Sequence, residues 1–322
     1  MSKSKIIIIH TGGTIASKVD YKTGAVVAKF EPEELYALYP ELKEVSDFDI
    51  IKVANIMSED VDFNFVNELA LAIKKGIKKE TKGIIITHGT DTIHYTSAAL
   101  HFMLKNLPIP VILVGAQRSS DRPSSDAGMN LICAARFIIK TNWGGVGVCM
   151  HENQSDESCV VLPGEKARKM HSSRRDAFMS FDDGLVARVS YLSGEVEMLH
   201  KVIINKEKFE LTLIDKNIWV GLIKVHPGFD PKILRNYINY SGLVIEGTGL
   251  GHVHENCLPE IENLIKKGVK VIMATQTIFG VVNMNVYSRG RKLLELGVKG
   301  NYENLPPESV FMKLLIELSK GS

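Results

Sequence analysis

Two turns in this chain set hydroxyls and a carboxylate directly behind apolar runs. Thr11-Gly12-Gly13-Thr14 follows the four isoleucines Ile6–Ile9 and His10, and His88-Gly89-Thr90-Asp91-Thr92 follows Gly83–Thr87. An apolar run without alternation reads as a strand buried on both faces, as in a parallel sheet. Paired glycines let the backbone turn sharply or approach a ligand closely, because no Cβ intervenes. Residues just past the carboxyl ends of such strands are where open α/β sheets bind ligands. Taken alone, Thr11–Thr14 reads equally as a tight turn with two solvated threonines. A phosphate-loop reading is weak, since no Gly-Lys-Ser/Thr follows and the third glycine of a dinucleotide fingerprint is missing. Recurrence of Gly-Thr at a second strand end favours one crevice around Thr14, Thr90 and Asp91.

Other residues could serve that crevice. Ser58, Glu59 and Asp60 lie between an apolar strand, Asp49–Ile56, and a helix whose apolar positions Val66, Leu69, Ala70, Ile73 and Ile77 keep helical spacing. Asp60 is read as the cap of that helix. Ser58 and Glu59 suit an α-carboxylate and an α-ammonium on a ligand. Lys18–Lys29 reads as an exposed hairpin or flap over the end of the first strand, with Tyr21 and Thr23 able to reach a ligand. Glu165–Phe178 holds the dense cationic cluster Lys166, Arg168, Lys169, His171, Arg174 and Arg175. Such a run is usually a solvated face. A lysine inside it, partly buried among like charges, could also act as a base, and a tRNA-facing patch is a third reading. In Ala116–Asp126, Arg118 and Arg122 with Asp121 and Asp126 read as an ion-pair network.

The elements that must position these residues alternate strand and helix along 322 residues, long enough for two domains. The expectation is an α/β chain: a larger parallel-sheet domain over 1–198, a connector over 199–218 and a smaller α/β domain over 219–322. Hydrophobic residues make up 45% and charged residues 24%, and 39 basic against 37 acidic side chains leave +2, so no global field draws the chain to nucleic acid or membrane. The four cysteines, Cys133, Cys149, Cys159 and Cys257, are scattered without a CxxC pair and read as reduced and buried, not as disulfides or metal ligands. No signal peptide and no apolar run of about 18 residues is present, so the cytoplasm is the expected compartment and no membrane partner is expected.

Thr11–Ala16 (TGGTIA), His88–Thr92 (HGTDT), the Ser58-Glu59 pair and a lysine before Arg174-Arg175-Asp176 together resemble the L-asparaginase family of amidohydrolases, over essentially the whole chain. Within the family, Ser17–Val26, Ala116–Ala127, Arg168–Phe178 and Asn283–Ser288 are similar to the D-subunit branch of archaeal glutamyl-tRNA(Gln) amidotransferases. That branch frees ammonia from glutamine, and an E subunit uses it on Glu-tRNA(Gln). Its members usually carry a small β-barrel ahead of the core, and none is read here, so the expectation is either a lost barrel or a free-standing hydrolase of the same lineage, a departure that bears on partner binding more than on chemistry. The resemblance implies Thr14 as nucleophile, with Thr90, Asp91 and Lys169 as the companion group and Tyr21 completing the first triad. It implies substrate contacts from Ser58, Glu59, Asp91, Gly13 and Gly89. It further implies glutamine or asparagine as substrate, no metal or organic cofactor, and a homodimer or higher homo-oligomer. Backbone N–H groups near Gly13 and Gly89 are the expected oxyanion donors.

Overall fold

The computed structural model describes residues 5–28, 30–200 and 207–321. It divides into two compact units, Met1–Leu211 and Thr212–Ser322, with the division inside the expected connector, of which 201–206 lie outside the described residues.

In the first unit β1 (Lys5–Gly12) is followed by a small hairpin, β2 (Ser17–Val19) and β3 (Val26–Ala28). Two short helices, α1 (Pro32–Ala37) and α2 (Leu42–Val45), lead to β4 (Asp47–Ile56). Then come α3 (Phe63–Gly76), β5 (Thr81–Thr87), α4 (Ile93–Met103), β6 (Leu104–Lys105), β7 (Pro110–Val114), α5 (Ala127–Lys140) and β8 (Gly145–His151). Short strands follow: β9 (Ser158–Pro163), β10 (Ala167–Lys169), β11 (Phe178–Ser180), β12 (Ala187–Ser190), β13 (Val196–Met198) and β14 (Glu210–Leu211).

Eight of these strands form one sheet in the order β13-β12-β9-β8-β7-β5-β1-β4. The pairings from β4 through β1, β5 and β7 to β8 are parallel, and those joining β8, β9, β12 and β13 are antiparallel. Ile6–Ile9 of β1 are buried, as are Ile84–Ile86 of β5, because strands and helices cover both faces. Within the parallel part the chain starts at β1, steps to β4 on one side and returns to β5 on the other. The strand order therefore reverses between β1 and β5, and a crevice at the carboxyl ends of those two strands is where an open sheet binds its ligand.

Capping differs from the expectation at α3. Asp62, not Asp60, is the cap, and its carboxylate accepts the Phe65 amide at 2.8 Å. Asp60 is already used by a 3-10 turn of its own, Ser58–Asp60. The four cysteines are free and buried.

The second unit contains β15 (Val220–Lys224), β16 (Gly242–Gly247), α6 (Leu258–Lys266), β17 (Lys270–Thr275), α7 (Ser288–Leu296) and α8 (Pro307–Ser319). Its strands form a parallel sheet in the order β15-β16-β17. Leu243, Ile245 and Met273 of the sheet pack with Leu264 of α6 and Leu293 of α7 in its core. Among the described residues no helix is long and apolar enough to cross a membrane.

Candidate active site

The crevice is built by glycines that let three turns touch. Gly13 adopts φ 77°, ψ −175°, a region open essentially to glycine alone. A Cβ placed on it would stand 2.3 Å from the Gly89 amide nitrogen, so the residue before Thr14 lies directly on the residue before Thr90. A Cβ on Gly89 would in turn stand 2.6 Å from the Ser58 Cβ. The turns after β1, β5 and β4 thus meet at Gly13, Gly89 and Ser58. At the end of β7, Gly115 leaves room for the Thr90 methyl, which a Cβ there would approach to 2.7 Å.

Hydrogen bonds hold these turns in place. The Thr11 hydroxyl donates to the Thr87 carbonyl at 2.6 Å, tying β1 to β5 at their ends. The Ser17 hydroxyl donates to the Gly13 carbonyl at 2.8 Å and the Thr92 hydroxyl to the Ser58 carbonyl at 2.7 Å. His88 is buried, with Nδ1 2.7 Å from the Gly89 carbonyl and Nε2 3.0 Å from the Thr96 hydroxyl. These partners assign the proton to Nδ1, which donates to the carbonyl, while Nε2 accepts from Thr96. Burial pushes the His88 pKa down to about 4, against a smaller opposing effect of the Gly89 carbonyl, so the ring is neutral at pH 7. His88 therefore braces the Gly89-Thr90 turn, a role its place in the motif did not reveal.

Lys169 comes from a different element. It ends β10, which pairs antiparallel with β11 so that Lys169 lies opposite Phe178. Its side chain is 10% exposed, and its Nζ donates to the Thr90 hydroxyl at 2.8 Å and to the Asp91 carboxylate at 2.7 Å. Lys166, the other candidate base, is directed to Asp182 at 3.9 Å. Thr90 is buried, whereas the Asp91 side chain is 68% exposed and open to a ligand. Two other cations of the cluster are paired locally: Arg174 with Asp176, and Arg175 with Asp156 at 2.6 Å and with the Gln154 carbonyl.

Thr14 opens a 3-10 turn, Thr14–Ala16, and is partly buried. Ser58 is buried against Gly89, and Glu59 is exposed beside it. Tyr21 is not brought to Thr14: it sits at the tip of the β2–β3 hairpin, 88% exposed. The Gly13 amide is not an open oxyanion donor either, because it donates to the Ile56 carbonyl at 2.8 Å. Nor do the aspartates of the 116–126 loop make the expected ion-pair network. Asp126 accepts the Gln117 and Arg118 amides at 3.0–3.1 Å, and Asp121 accepts the Val19 amide at 2.8 Å.

Residues 5–203 match the family described as Asparaginase, N-terminal, and residues 219–322 match the Glutaminase/Asparaginase C-terminal domain. The chain belongs to the asparaginase family. It is an asparaginase/glutaminase-type amidohydrolase. Among relatives of this family, the D subunit of glutamyl-tRNA(Gln) amidotransferase from Pyrococcus abyssi is 46% identical over 314 residues, covering 97% of this chain and 71% of that protein. The corresponding D subunit from Methanococcus vannielii is 45% identical, covering 96% of this chain and 73% of that protein. Of solved structures, the thermostable L-asparaginase from Thermococcus kodakarensis superposes with a TM-score of 0.87 at 30% identity, over 98% of this chain and 93% of that one. The L-asparaginase I from Vibrio cholerae O1 superposes with a TM-score of 0.86 at 27% identity, over 100% and 94%.

Proposed function

We propose that this chain hydrolyses the side-chain amide of glutamine or asparagine through a threonine acyl-enzyme, with Thr14 as nucleophile. The observation that carries this reading is Lys169, whose Nζ meets both Thr90 and Asp91 beside the Gly13-Thr14 turn. An alcohol is a weak nucleophile at neutral pH and needs an adjacent base: Thr90 takes the Thr14 proton as its own hydroxyl proton passes to the Nζ lone pair of Lys169, the reverse of the bond in the resting site. Thr14 Oγ bonds to the amide carbon and the proton passes on toward the departing nitrogen. The C–N bond then breaks, ammonia leaves, and water hydrolyses the ester in a second step. The Gly89-Thr90 turn offers backbone donors for the oxyanion, each worth about 3–4 kcal/mol in such sites. Ser58 and Asp91, with Glu59, hold the α-carboxylate and α-ammonium of the substrate. Tyr21 enters only when the flap closes.

Identity of 45–46% to several of these D subunits favours glutamine as ammonia source for an E subunit, and through it for Glu-tRNA(Gln); the cytoplasmic homodimer is carried by the family resemblance alone. A stand-alone asparaginase is the second reading, supported by end-to-end superposition on L-asparaginase structures, 98% of this chain on 93% of the Thermococcus enzyme. Steady-state ammonia release from both amides, with and without an E subunit, separates them. Glutamine turnover that rises with the partner supports the first, and partner-independent asparagine turnover supports the second. No release under any of these conditions refutes both.

A further inference from the structure

The loop between β7 and α5 does more than join them. It leaves Gly115, against which Thr90 packs, and returns to Asp126, the buried residue that precedes α5. Between these points it is bonded to itself. Asp126 takes the Gln117 and Arg118 amides, the Ser125 hydroxyl donates to the Arg118 carbonyl at 2.9 Å, and Arg118 Nη1 donates to the Ser124 hydroxyl at 2.8 Å. The Arg122 amide donates to the Ser119 carbonyl at 3.1 Å, and Asn130 Nδ2 ties the Gly115 carbonyl at 3.0 Å. A loop so cross-braced is a rigid arm whose base is the wall behind Thr90.

Two side chains at the end of that arm reach across more than a hundred positions of sequence. The Ser120 hydroxyl donates to the Ile15 carbonyl at 2.5 Å, the first carbonyl beyond Thr14. The Asp121 carboxylate accepts the Val19 amide at 2.8 Å, in the last strand pair before the turn that carries Tyr21. Next along the chain, Asp20 closes the tip by accepting the Lys22 amide on its side chain at 2.9 Å, and its carbonyl accepts the Gly24 amide at 2.7 Å. The hairpin is thus stiff in itself and is held to the body of the unit by Asp121.

From this geometry we infer that Ser120 and Asp121 are positioning residues of the active site. Ser120 sets the peptide that orients Thr14, and Asp121 fixes the end of β2 from which the Tyr21 turn springs. The inference rests on the amidohydrolase reading of Thr14. The carboxyl of Asp121 lies below its ordinary value: burial opposes this, and the Val19 amide and the Ser119 hydroxyl outweigh it, so the acceptor is ionised at neutral pH.

The test uses the full chain with S120A, S120T, D121A and D121N. Displacement of a reacting atom by about 1 Å costs on the order of a hundred-fold in rate, so a softened turn in S120A lowers kcat ten-fold or more with little change in KM. S120T keeps the hydroxyl and recovers most of the rate. D121A raises KM and lowers kcat/KM about ten-fold, and D121N, whose amide oxygen still accepts from Val19, restores most of it. Amide hydrogen exchange provides a readout independent of activity: D121A deprotects Val19 and the hairpin, while α5 keeps its protection. Unchanged exchange at Val19 in D121A overturns the role of Asp121, and kcat within two-fold of wild type in S120A overturns that of Ser120. A wild-type chain that releases no ammonia from either amide, with or without an E subunit, refutes the hydrolase reading and with it the role of Ser120, while the exchange data still decide the role of Asp121.

Discussion

Gly13→Ala isolates the contact on which the crevice depends. The new Cβ would stand 2.3 Å from the Gly89 nitrogen and 2.4 Å from its Cα, both backbone atoms that no rotamer change can move. Carbon atoms pack at roughly 3.5–4.0 Å, so the two turns must separate by about 1 Å or more. The conformation at φ 77° and ψ −175° adds on the order of 1–3 kcal/mol of backbone strain for alanine. Separation by that distance carries Thr14 away from the Thr90–Lys169 pair, and misplacement on this scale costs about a hundred-fold in kcat. Gly24→Ala is the matched control, because Gly24 also has a positive φ of +75° but nothing within 4 Å of its would-be Cβ. It carries backbone strain without the wedge. Ammonia release measured beside urea unfolding separates the two effects. The expected result is a folded, destabilised Gly13→Ala chain with at least hundred-fold lower kcat, and a Gly24→Ala chain within a few-fold of wild type. A folded Gly13→Ala protein with kcat within three-fold of wild type would show that close approach of the two turns is not what organises the site.

Three further outcomes are expected. Lys169→Met and Thr90→Val each lower kcat by about 10²–10⁴-fold, and the double variant is little worse than the more damaging single one, since the two act as a unit; additive losses in a double-mutant cycle contradict the relay. Stability falls as pH drops from about 6.5 toward 4, because His10, His88 and His94 are buried with pKa values lowered to about 4, chiefly by burial, so the unfolded chain binds protons there that the native chain does not. His88 alone contributes on the order of 3 kcal/mol across that window, the loss levels off below it, and urea midpoints that stay flat between pH 7 and 5 contradict the assignment. Asp62→Ala removes the cap of α3 and costs about 1 kcal/mol of stability with kcat unchanged, as read from paired unfolding and activity assays.

What the chain spells out plainly is the part of the site carried by its sheet. The isoleucine runs before Thr11 and Gly89 declare buried strands, and glycine with threonine at their ends declares where they turn. The directions of β8, β9 and β12 were not legible, since a short apolar run reads the same whichever way its neighbour points. Strands β10 and β11 left no pattern either, because three residues each among dense cations have no period to show. Lys169 was therefore legible only through the family resemblance, by its place before Arg174-Arg175-Asp176, and the fold alone shows its contacts with Thr90 and Asp91. The loop aspartates misled in a different way. Their neighbours in sequence, Arg118 and Arg122, suggested ion pairs, yet Asp126 and Asp121 serve backbone amides that only the folded turn brings near. The capping role of Asp62 over Asp60 was likewise decided by a 3-10 turn that no spacing announced.

The hairpin that delivers Lys169 gives the site a history as well as a geometry. Thr14, Ser58 and Gly89 stand at the ends of three neighbouring strands, so forming the sheet brings them together at once. Lys169 reaches Thr90 across 79 positions of chain, and it comes from the separate two-stranded β10–β11 pair, so its arrival requires a second element to dock on the sheet. The Thr11–Thr87 tie between the sheet strands spans 76 positions, so what sets Lys169 apart is the extra docking step and not its distance along the chain. On refolding, the far-ultraviolet signal of the sheet should therefore return first, leaving for a time a molecule that can hold an amino acid in its crevice and cannot yet cut it.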